Sequence, residues 1–370
     1  MRITGAVLEA IGRERPYAQS KPISVAELEL DAPGPTEVLV RIEAAGVCHS
    51  DLSVVDGNRE RPTPMVLGHE AAGIVVATGA DVHDLKPDQR VVMAFLPRCE
   101  SCEGCATGGR LPCAEGTKSN TAGTLLHGGR RLSRGGEQLF HHLGVSGFAT
   151  HAVVDRASVV PIGSDVPAEV AAVLGCAVLT GGGALLNAVQ PGPGDTVMIV
   201  GLGGVGMSAL ISAVADGRAH VVAVDGRPEK LALARELGAQ AAYTPAEVAQ
   251  QGIRTDHALE CAGHGGAFET AFQATKPGGR TVTVGLPAPD ARAAISPLTI
   301  TGEARTIIGS YLGSAVPARD IPRFADWWRA GRLPVERLIT RRIRLHEINE
   351  AMDDLADGRA VRQVMVFDGD

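Results

Sequence analysis

Four of the seven cysteines lie close together in the stretch RCESCEGCATGGRLPC, which ends at Cys113. Their spacing is C-x2-C-x2-C-x7-C, and the candidate ligands are Cys99, Cys102, Cys105 and Cys113. Two intervening residues allow a turn to place successive thiolates on one side of a loop, as a tetrahedral zinc ion requires. An iron–sulfur cluster also takes four cysteines, but its usual spacing places the fourth ligand differently. The spacing therefore favours zinc, and because four thiolates leave no open position, the site is predicted to be structural.

A second set of candidate ligands is more widely separated and suits an open zinc site. Cys48 lies in GVCHSD, His69 in LGHEAAG and Cys176 in LGCAVLTGG. Two thiolates and one imidazole leave the fourth tetrahedral position to water or an alcohol oxygen. Each residue alone is a weak signal, since a cysteine in an apolar run usually packs in a core. Together, beside a closed zinc site and a nucleotide-binding motif, they predict a catalytic zinc, so that each chain holds two zinc ions.

Two carboxylates lie next to these ligands in the sequence. Asp51 is placed to accept the free ring N–H of His69, which would fix the tautomer and orientation of the imidazole. Glu70 directly follows His69, and we expect it to lie behind the zinc and adjust its coordination.

The segment VMIVGLGGVGMSA contains glycines in G-x-G-x-x-G spacing, at Gly201, Gly203 and Gly206. An apolar strand is predicted before them and an Ala-rich helix after them. In that context the glycines permit a tight turn, a close approach of a pyrophosphate and close packing of helix on strand. The segment therefore predicts a dinucleotide site.

The identity of the dinucleotide is indicated by Asp225, in HVVAVDG at the end of the second predicted strand. A carboxylate there accepts hydrogen bonds from the adenosine ribose hydroxyls and repels a 2′-phosphate. NAD is therefore favoured over NADP, although Arg227 and Lys230 lie close by and weaken the preference.

The predicted elements divide the chain into three parts. The first third contains strand-like runs broken by Gly, Pro and Asp, whereas strand and helix patterns alternate from about residue 191. We predict a β-rich domain at 1–177 with a zinc lobe at about 97–114, an inserted α/β domain at 178–314, and a return to the first domain at 315–370.

Composition restricts the possible partners. The chain has 370 residues, 45% of them hydrophobic, with a formal charge of −7, which argues against nucleic acid or an anionic membrane as a partner. The uncharged run between Asp195 and Asp216 is long enough to cross a membrane, but its glycines favour a buried strand, turn and helix. An odd number of cysteines, four of them at metal-ligand spacing, and the lack of a signal-like start lead us to expect a cytoplasmic protein.

These motifs, in this order, resemble the zinc-dependent medium-chain alcohol dehydrogenases, and the resemblance covers essentially the whole chain. The long segment between Cys113 and His142 resembles that of the family's class I/III-like dimeric enzymes. The resemblance implies an α/β fold with a GroES-like β-rich catalytic domain interrupted by a doubly wound Rossmann domain, and an active site in the cleft between them. It also implies reversible oxidation of a primary or secondary alcohol to an aldehyde or ketone, with hydride transfer to NAD, in a homodimer or possible tetramer.

The resemblance further assigns roles by position. Ser50 would hydrogen-bond the alcohol and begin proton release, and the backbone at Val284 and Leu286 would hold the nicotinamide carboxamide. The residues implied to contact the cofactor are His49, Thr180, Gly201, Gly203, Gly204, Val205, Gly206, Asp225, Lys230, Val284, Leu286 and Arg362. Those implied to line the alcohol pocket are Phe95, His142 and Leu143.

Two positions depart from the family pattern. Ser53 replaces a histidine that passes the proton to solvent, which leaves the last step of proton release open. His142 replaces an apolar or aromatic residue, so the pocket is not wholly apolar. Two alternatives are a zinc-dependent polyol dehydrogenase, which tends to replace a thiolate ligand with a carboxylate, and a non-catalytic NAD-binding or structural protein, which tends to lose zinc ligands.

Overall fold

The computed structural model describes residues 1–367, which form two compact units. The first unit contains Met1–Cys176 and the chain from Ile339 onward, and the second contains Ala177–Leu338. The first boundary therefore lies within one residue of the predicted one. The second boundary lies after Leu338 and not after residue 314, where the sequence pattern placed it.

The helix Pro317–Arg329 explains the shifted boundary. Its Phe324 is fully buried and packs so closely on Gly182 of the second unit that a Cβ at Gly182 would lie 2.7 Å from the Phe324 ring. Arg332 donates a hydrogen bond to the carbonyl of Ala215, also in the second unit. The helix buries its apolar face there, so residues 315–338 belong with the second unit.

Within the described residues, the first unit contains two sheets. A six-stranded sheet has the order Glu137–Gln138, Leu132–Arg134, Ile23–Leu30, Arg2–Leu8, Met65–Val66 and Phe140–His141. A seven-stranded sheet has the order Val159–Ile162, Arg90–Met93, Glu70–Thr78, Glu37–Val47, Arg362–Val366 and Ile339–Ile343, with His151–Asp155 also paired to Glu37–Val47. Apolar side chains from both sheets, among them Val7, Leu28 and Val153, pack together in a core of the first unit.

The helices of the first unit are short. The α-helices are Tyr17–Ser20, His49–Val55, Glu103–Ala106, Ala114–Ala122, Ala168–Val173 and Ile348–Ala356. The 3-10 turns are Arg156–Ser158 and Leu345–Glu347, and the π-turn Leu174–Val178 runs across the boundary between the units. Three helices, His49–Val55, Glu103–Ala106 and Ala114–Ala122, each begin directly after a candidate ligand cysteine.

The second unit is built on a parallel sheet. Its six described strands have the order Ala241–Tyr243, His220–Val224, Thr196–Val200, Thr255–Glu260, Thr275–Thr283 and Thr306–Gly309. In chain order this is 3-2-1-4-5-6, the doubly wound Rossmann arrangement. The helical segments are Leu179–Gly183, Ala184–Val189, Gly204–Asp216, Pro228–Glu236, Pro245–Gln251, Gly265–Ala274, Pro297–Gly302, Tyr311–Ser314, Pro317–Arg329 and Val335–Leu338. Met198, Ala258 and Ala271 lie in the core between sheet and helix.

One helical stretch in the described chain, Ala168–Val189, is long and apolar enough to cross a membrane. Its most apolar 18-residue window is 89% buried within the fold, as in the core helix of a globular protein. The run between Asp195 and Asp216 forms the predicted strand, turn and helix.

Asp353, on the helix Ile348–Ala356, holds the segment that precedes the second strand. Its carboxylate accepts hydrogen bonds from the backbone N–H groups of Tyr17 and Ala18, both at 2.9 Å, and pairs with Arg15 at 3.3 Å. Asn349 exchanges two hydrogen bonds with the backbone of Ile23. The C-terminal return of the chain thereby anchors its N-terminal part.

We expect Asp353→Ala to lower the free energy of unfolding of the first unit by about 2 kcal/mol, because two amide N–H groups lose their acceptor. The matched control is Glu350→Ala on the same helix, whose side chain is 65% exposed, and which should change stability by less than about 0.5 kcal/mol. Urea unfolding followed by circular dichroism measures both values. Equal effects of the two substitutions would contradict an anchoring role for Asp353.

Candidate metal and cofactor sites

The four clustered cysteines converge on one point. Their Sγ atoms all lie within 4.8 Å of one another, with Cys99 and Cys105 at 4.0 Å and Cys102 and Cys113 at 3.9 Å. A tetrahedral zinc ion with Zn–S bonds of about 2.3 Å requires sulfur–sulfur distances of about 3.8 Å. The donor set therefore fits a closed zinc site.

Backbone N–H groups orient these sulfur atoms. The amide of Gly116 donates to Cys113 Sγ and that of Cys105 to Cys102 Sγ, where each cysteine caps a helix. Hydrogen bonds from Ser101 lower the pKa of Cys99 to about 6, whereas burial and the neighbouring thiols raise the pKa of Cys105 to about 12. Crowded thiols of this kind are stabilised as thiolates by a divalent cation.

The second candidate set also comes together. One donor atom from each of Cys48, His69, Glu70 and Cys176 lies within 4.8 Å of the others, and all four residues are buried. Cys176 Sγ lies 3.4 Å from Nε2 of His69. Two soft sulfur ligands and one imidazole suit zinc and leave an open position. These residues fit a catalytic zinc site.

The antiparallel pairing of two strands brings distant ligands together. The strand Glu37–Val47 ends one residue before Cys48, and the strand Glu70–Thr78 begins one residue after His69. Gly46 pairs directly with Glu70 in the sheet. The register of this one ladder therefore fixes the separation of Cys48 and His69.

Asp51 orients the imidazole as predicted. It is fully buried, and its Oδ1 lies 3.0 Å from Nδ1 of His69 while its Oδ2 accepts a 3.0 Å hydrogen bond from the Cys48 amide. Burial acts to raise the pKa of Asp51, but His69 and His142 outweigh it and lower the pKa to about 2. The ionised carboxylate keeps the proton of His69 on Nδ1 and leaves Nε2 for a metal.

The two thiols of the open set share a hydrogen bond. That bond lowers the pKa of Cys48 and raises the pKa of Cys176. One negative charge is thus favoured at the pair, which increases the affinity of the set for a cation.

Glu70, beside the two cysteines and His69, forms a buried ion pair with Arg362. The carboxylate and guanidinium are 3.4 Å apart, and Arg362 also donates a hydrogen bond to the Val47 carbonyl. Burial raises the pKa of Glu70 to about 7, although Arg362 opposes the shift. Arg362 was predicted as a phosphate contact, and the structure places its side chain against Glu70, only 3% exposed.

Two of the three predicted pocket residues contact the His69 ring. Phe95 and His142 meet its ring nearly edge-on, at centroid distances of 5.4 and 5.5 Å. Nδ1 of His142 also lies 3.1 Å from Asp51 Oδ1, a contact that no local motif indicated. Leu143 follows and is buried. Aromatic side chains next to the open set suit a carbon-rich substrate.

His49 and Ser50 begin the helix His49–Val55 directly after Cys48. His49 is exposed and Ser50 is half-buried. The hydroxyl of Ser53 donates a 3.1 Å hydrogen bond to the Ser50 carbonyl. The helix thus places Ser50 two residues from the candidate ligand Cys48. The Ser53 hydroxyl is engaged by the backbone of the same helix.

In the second unit, the glycine loop joins the strand Thr196–Val200 to the helix Gly204–Asp216. Gly201 has a φ of +92°, which side-chain-bearing residues rarely adopt. A Cβ at Gly206 would lie 1.9 Å from the Gly201 carbonyl oxygen. The loop therefore needs both glycines, and it leaves a helix N-terminus exposed to a phosphate group.

Asp225 follows the strand His220–Val224 and stands beside the glycine loop. Its carboxylate accepts hydrogen bonds from the backbone N–H groups of Leu202 at 2.8 Å and Arg227 at 3.0 Å. The acidic group is thus fixed at the carboxyl edge of the sheet, where a dinucleotide binds in this fold.

The remaining candidate cofactor residues lie in the same unit. A Cβ at Gly181, next to Thr180, would lie 2.2 Å from the Val205 carbonyl oxygen. Val284 directly follows the strand Thr275–Thr283, Leu286 is 47% exposed, and Lys230 lies in the helix Pro228–Glu236. The set assigned to the second unit is Thr180, Gly201, Gly203, Gly204, Val205, Gly206, Asp225, Lys230, Val284 and Leu286.

The chain is similar to known proteins over its whole length. A model of the alcohol dehydrogenase GroES-like domain matches residues 34–164, and a model of zinc-binding dehydrogenases matches residues 204–329. Geraniol dehydrogenase of Castellaniella defragrans is 39% identical over 358 residues, covering 94% of this chain and 95% of the relative. NDMA-dependent alcohol dehydrogenase of Amycolatopsis methanolica is 35% identical over the full length of both. The crystal structure of benzyl alcohol dehydrogenase from Acinetobacter calcoaceticus has a TM-score of 0.89 and 29% identity over both whole chains.

We expect Asp51→Asn to weaken zinc binding at the open set by about 10- to 100-fold, because an amide cannot accept hydrogen bonds from both His69 and the Cys48 amide as the carboxylate does. Competition with a chromophoric chelator measures the affinity. Zinc at the four-cysteine site serves as an internal reference, and Asp56→Asn, at the end of the same helix, is the matched control. Unchanged zinc affinity in Asp51→Asn would show that the carboxylate does not support the ligand set.

Proposed function

The chain belongs to the zinc-dependent alcohol dehydrogenase family, and we propose that it oxidises a primary or secondary alcohol to an aldehyde or ketone with NAD as hydride acceptor. The observation that carries this proposal is the buried Cys48, His69 and Cys176 set with His69 oriented by Asp51. We further propose two zinc ions per chain, one at this set and one at the four cysteines.

Each residue around the open set has a proposed task. When bound, a zinc ion acts as a Lewis acid on the alcohol oxygen and lowers its pKa. Ser50 accepts the alcohol proton. The side chain of Ser53 is occupied by the Ser50 carbonyl, which supports proton release to water rather than through Ser53. Phe95 and Leu143 exclude water from the reacting atoms.

The choice of NAD is supported by Asp225. Its carboxylate is held at the edge of the glycine loop, where it repels the 2′-phosphate of NADP and accepts ribose hydroxyls. Because one relative is an NDMA-dependent enzyme, the acceptor has to be tested directly.

The substrate we propose is a largely apolar allylic or benzylic alcohol, in which the carbon that bears the hydroxyl is bonded to an unsaturated carbon. Geraniol and benzyl alcohol, named for two similar proteins, share this chemistry. The buried Phe95 and Leu143 supply apolar walls. The His142 imidazole is the polar group among the three candidate pocket residues, and its Nδ1 contacts Asp51. Two thiolate ligands and few polar groups in the pocket speak against the polyol dehydrogenase alternative, and the complete ligand sets speak against a non-catalytic protein.

We also propose a cytoplasmic homodimer. The strand Thr306–Gly309 lies at the edge of the second unit's sheet, and an edge strand offers unpaired backbone groups to a second copy. All seven cysteines are free thiols, which suits a reducing compartment. Sedimentation velocity should therefore give a dimer at micromolar concentration. A tetramer would still show that the chain self-associates, but in the larger of the two expected assemblies. A monomer there would refute the dimer.

Purified protein should contain about two zinc ions per chain by elemental analysis, one for each ligand set. It should form NADH with geraniol and benzyl alcohol, with a higher kcat/KM for NAD than for NADP and no turnover of a polyol such as sorbitol. Cys176→Ala should lose one zinc and all activity. The matched control is Cys261→Ala, which alters the cysteine outside both sets.

Two outcomes would contradict the proposal in different ways. Turnover with NDMA but not with added NAD would support the proposed alcohol oxidation. It would contradict the proposal that NAD binds and leaves as the hydride acceptor. Two zinc ions without turnover of any alcohol would favour the non-catalytic alternative.

A further inference from the structure

Glu260 carries a buried negative charge that neither the zinc sites nor the glycine loop requires. It is the last residue of the strand Thr255–Glu260, and it is 2% exposed. Its Oε1 accepts hydrogen bonds from the amides of Ala262 at 2.7 Å and Gly263 at 2.6 Å, and its Oε2 accepts one from the Thr283 hydroxyl at 2.7 Å. All three donors are neutral, and Glu260 forms no ion pair within residues 1–367.

A buried carboxylate without a cationic partner costs free energy, even when neutral donors satisfy its oxygens. An amide side chain would satisfy much of the same geometry without the charge. The charge therefore needs an explanation beyond local hydrogen bonding, and a cationic ligand next to it would supply one.

Glu260 lies at the centre of the carboxyl edge of the sheet. It pairs with Val200, the residue before the glycine loop, and with Thr283, the residue before Val284. In a doubly wound sheet the dinucleotide binds at this edge, near the point where the strand order reverses. The carboxylate thus stands between the loop proposed for the pyrophosphate and the backbone proposed for the nicotinamide.

The turn that Glu260 holds is packed between these two segments. A Cβ at Gly201 would lie 2.7 Å from the Cβ of Ala262, and a Cβ at Gly285 would lie 2.1 Å from the amide nitrogen of Gly263. A Cβ at Gly263 would in turn lie 3.0 Å from the amide nitrogen of Leu286 and 3.1 Å from its carbonyl oxygen. Any ligand held by the backbone at Val284 and Leu286 is therefore close to a turn that carries the Glu260 charge.

Resting on the proposed NAD-dependent function, we propose that Glu260 is a specificity-determining residue that raises the affinity of this site for the oxidised cofactor relative to the reduced one. The nicotinamide ring of NAD⁺ carries a positive charge, which disappears when the ring accepts a hydride from the alcohol. The alcohol becomes a carbonyl compound and releases one proton. The buried carboxylate attracts the cationic ring of NAD⁺ and has no such attraction for the uncharged dihydronicotinamide ring of NADH, so it strengthens NAD⁺ binding relative to NADH binding.

The test is the ratio of two dissociation constants. In zinc-loaded protein, Glu260→Gln should raise the Kd of NAD⁺ by about tenfold more than that of NADH, the order expected for opposite unit charges in a partly buried site. Isothermal titration calorimetry measures both constants. Glu260→Asp should keep the wild-type ratio because it keeps the charge. The matched control, Glu236→Gln, removes a charge that is 63% exposed in the same unit and should leave the ratio unchanged.

A merely structural role gives a different result. If Glu260 only holds the turn, Glu260→Gln changes both dissociation constants by the same factor, and the proposal is overturned. If wild-type protein binds neither NAD⁺ nor NADH, the proposed function itself fails. If the protein binds both cofactors but Glu260→Gln leaves the ratio of their dissociation constants unchanged, only the proposed role of Glu260 fails.

A measurement on the wild type decides the case should Glu260→Gln not fold. An NAD analogue in which a neutral benzene ring replaces the pyridinium has the shape of NAD⁺ without its charge. The wild-type protein should bind NAD⁺ about tenfold more tightly than this analogue. Equal affinities would overturn the proposal.

Discussion

The contact between Asp51 and His69 is the interaction on which the open metal set depends. One fully buried carboxylate fixes both the imidazole ring and the Cys48 amide, so two of the three ligands share a single support. Because an ionised carboxylate is costly to bury, the hydrogen bonds from His69 and the Cys48 amide also stabilise Asp51 itself. Oδ1 of Asp51, which contacts His69, also lies 3.1 Å from Nδ1 of His142, so this candidate pocket residue is linked to the ligand set.

The two zinc-type sites are built by different means. In the four-cysteine site, short turns and helix-capping amides orient the sulfur atoms, and the sequence separation is small. The open set instead depends on the register of a strand pair, which places Gly46 opposite Glu70, and on a π-turn that carries Cys176. Local turns produce a closed, structural geometry, whereas a sheet framework can hold three ligands and leave a fourth position open.

The second unit adds negative charge at the edge where an anionic dinucleotide is expected. Glu260 ends one strand there and Asp225 directly follows another, and both accept hydrogen bonds from backbone amides of neighbouring turns. A helix N-terminus and the glycine loop provide the compensating dipoles for the phosphates. In the proposed binding mode the amides face the phosphates, and the carboxylates face the ribose and the cationic ring.

Features that depend on short-range spacing could be predicted from the amino-acid sequence alone. The four-cysteine site, the glycine loop and the alternation of strand and helix are all local. Cys48, His69 and Cys176 are far apart in the chain, but their residue types and short motifs were enough to predict an open zinc site. The contact of His142 with Asp51, the pairing of Arg362 with Glu70, the buried position of Glu260 at the sheet edge and the boundary after Leu338 could be seen only once the chain was folded. The physical reason is that strand register and helix packing join residues far apart in the chain, and no local pattern records which side chains then meet.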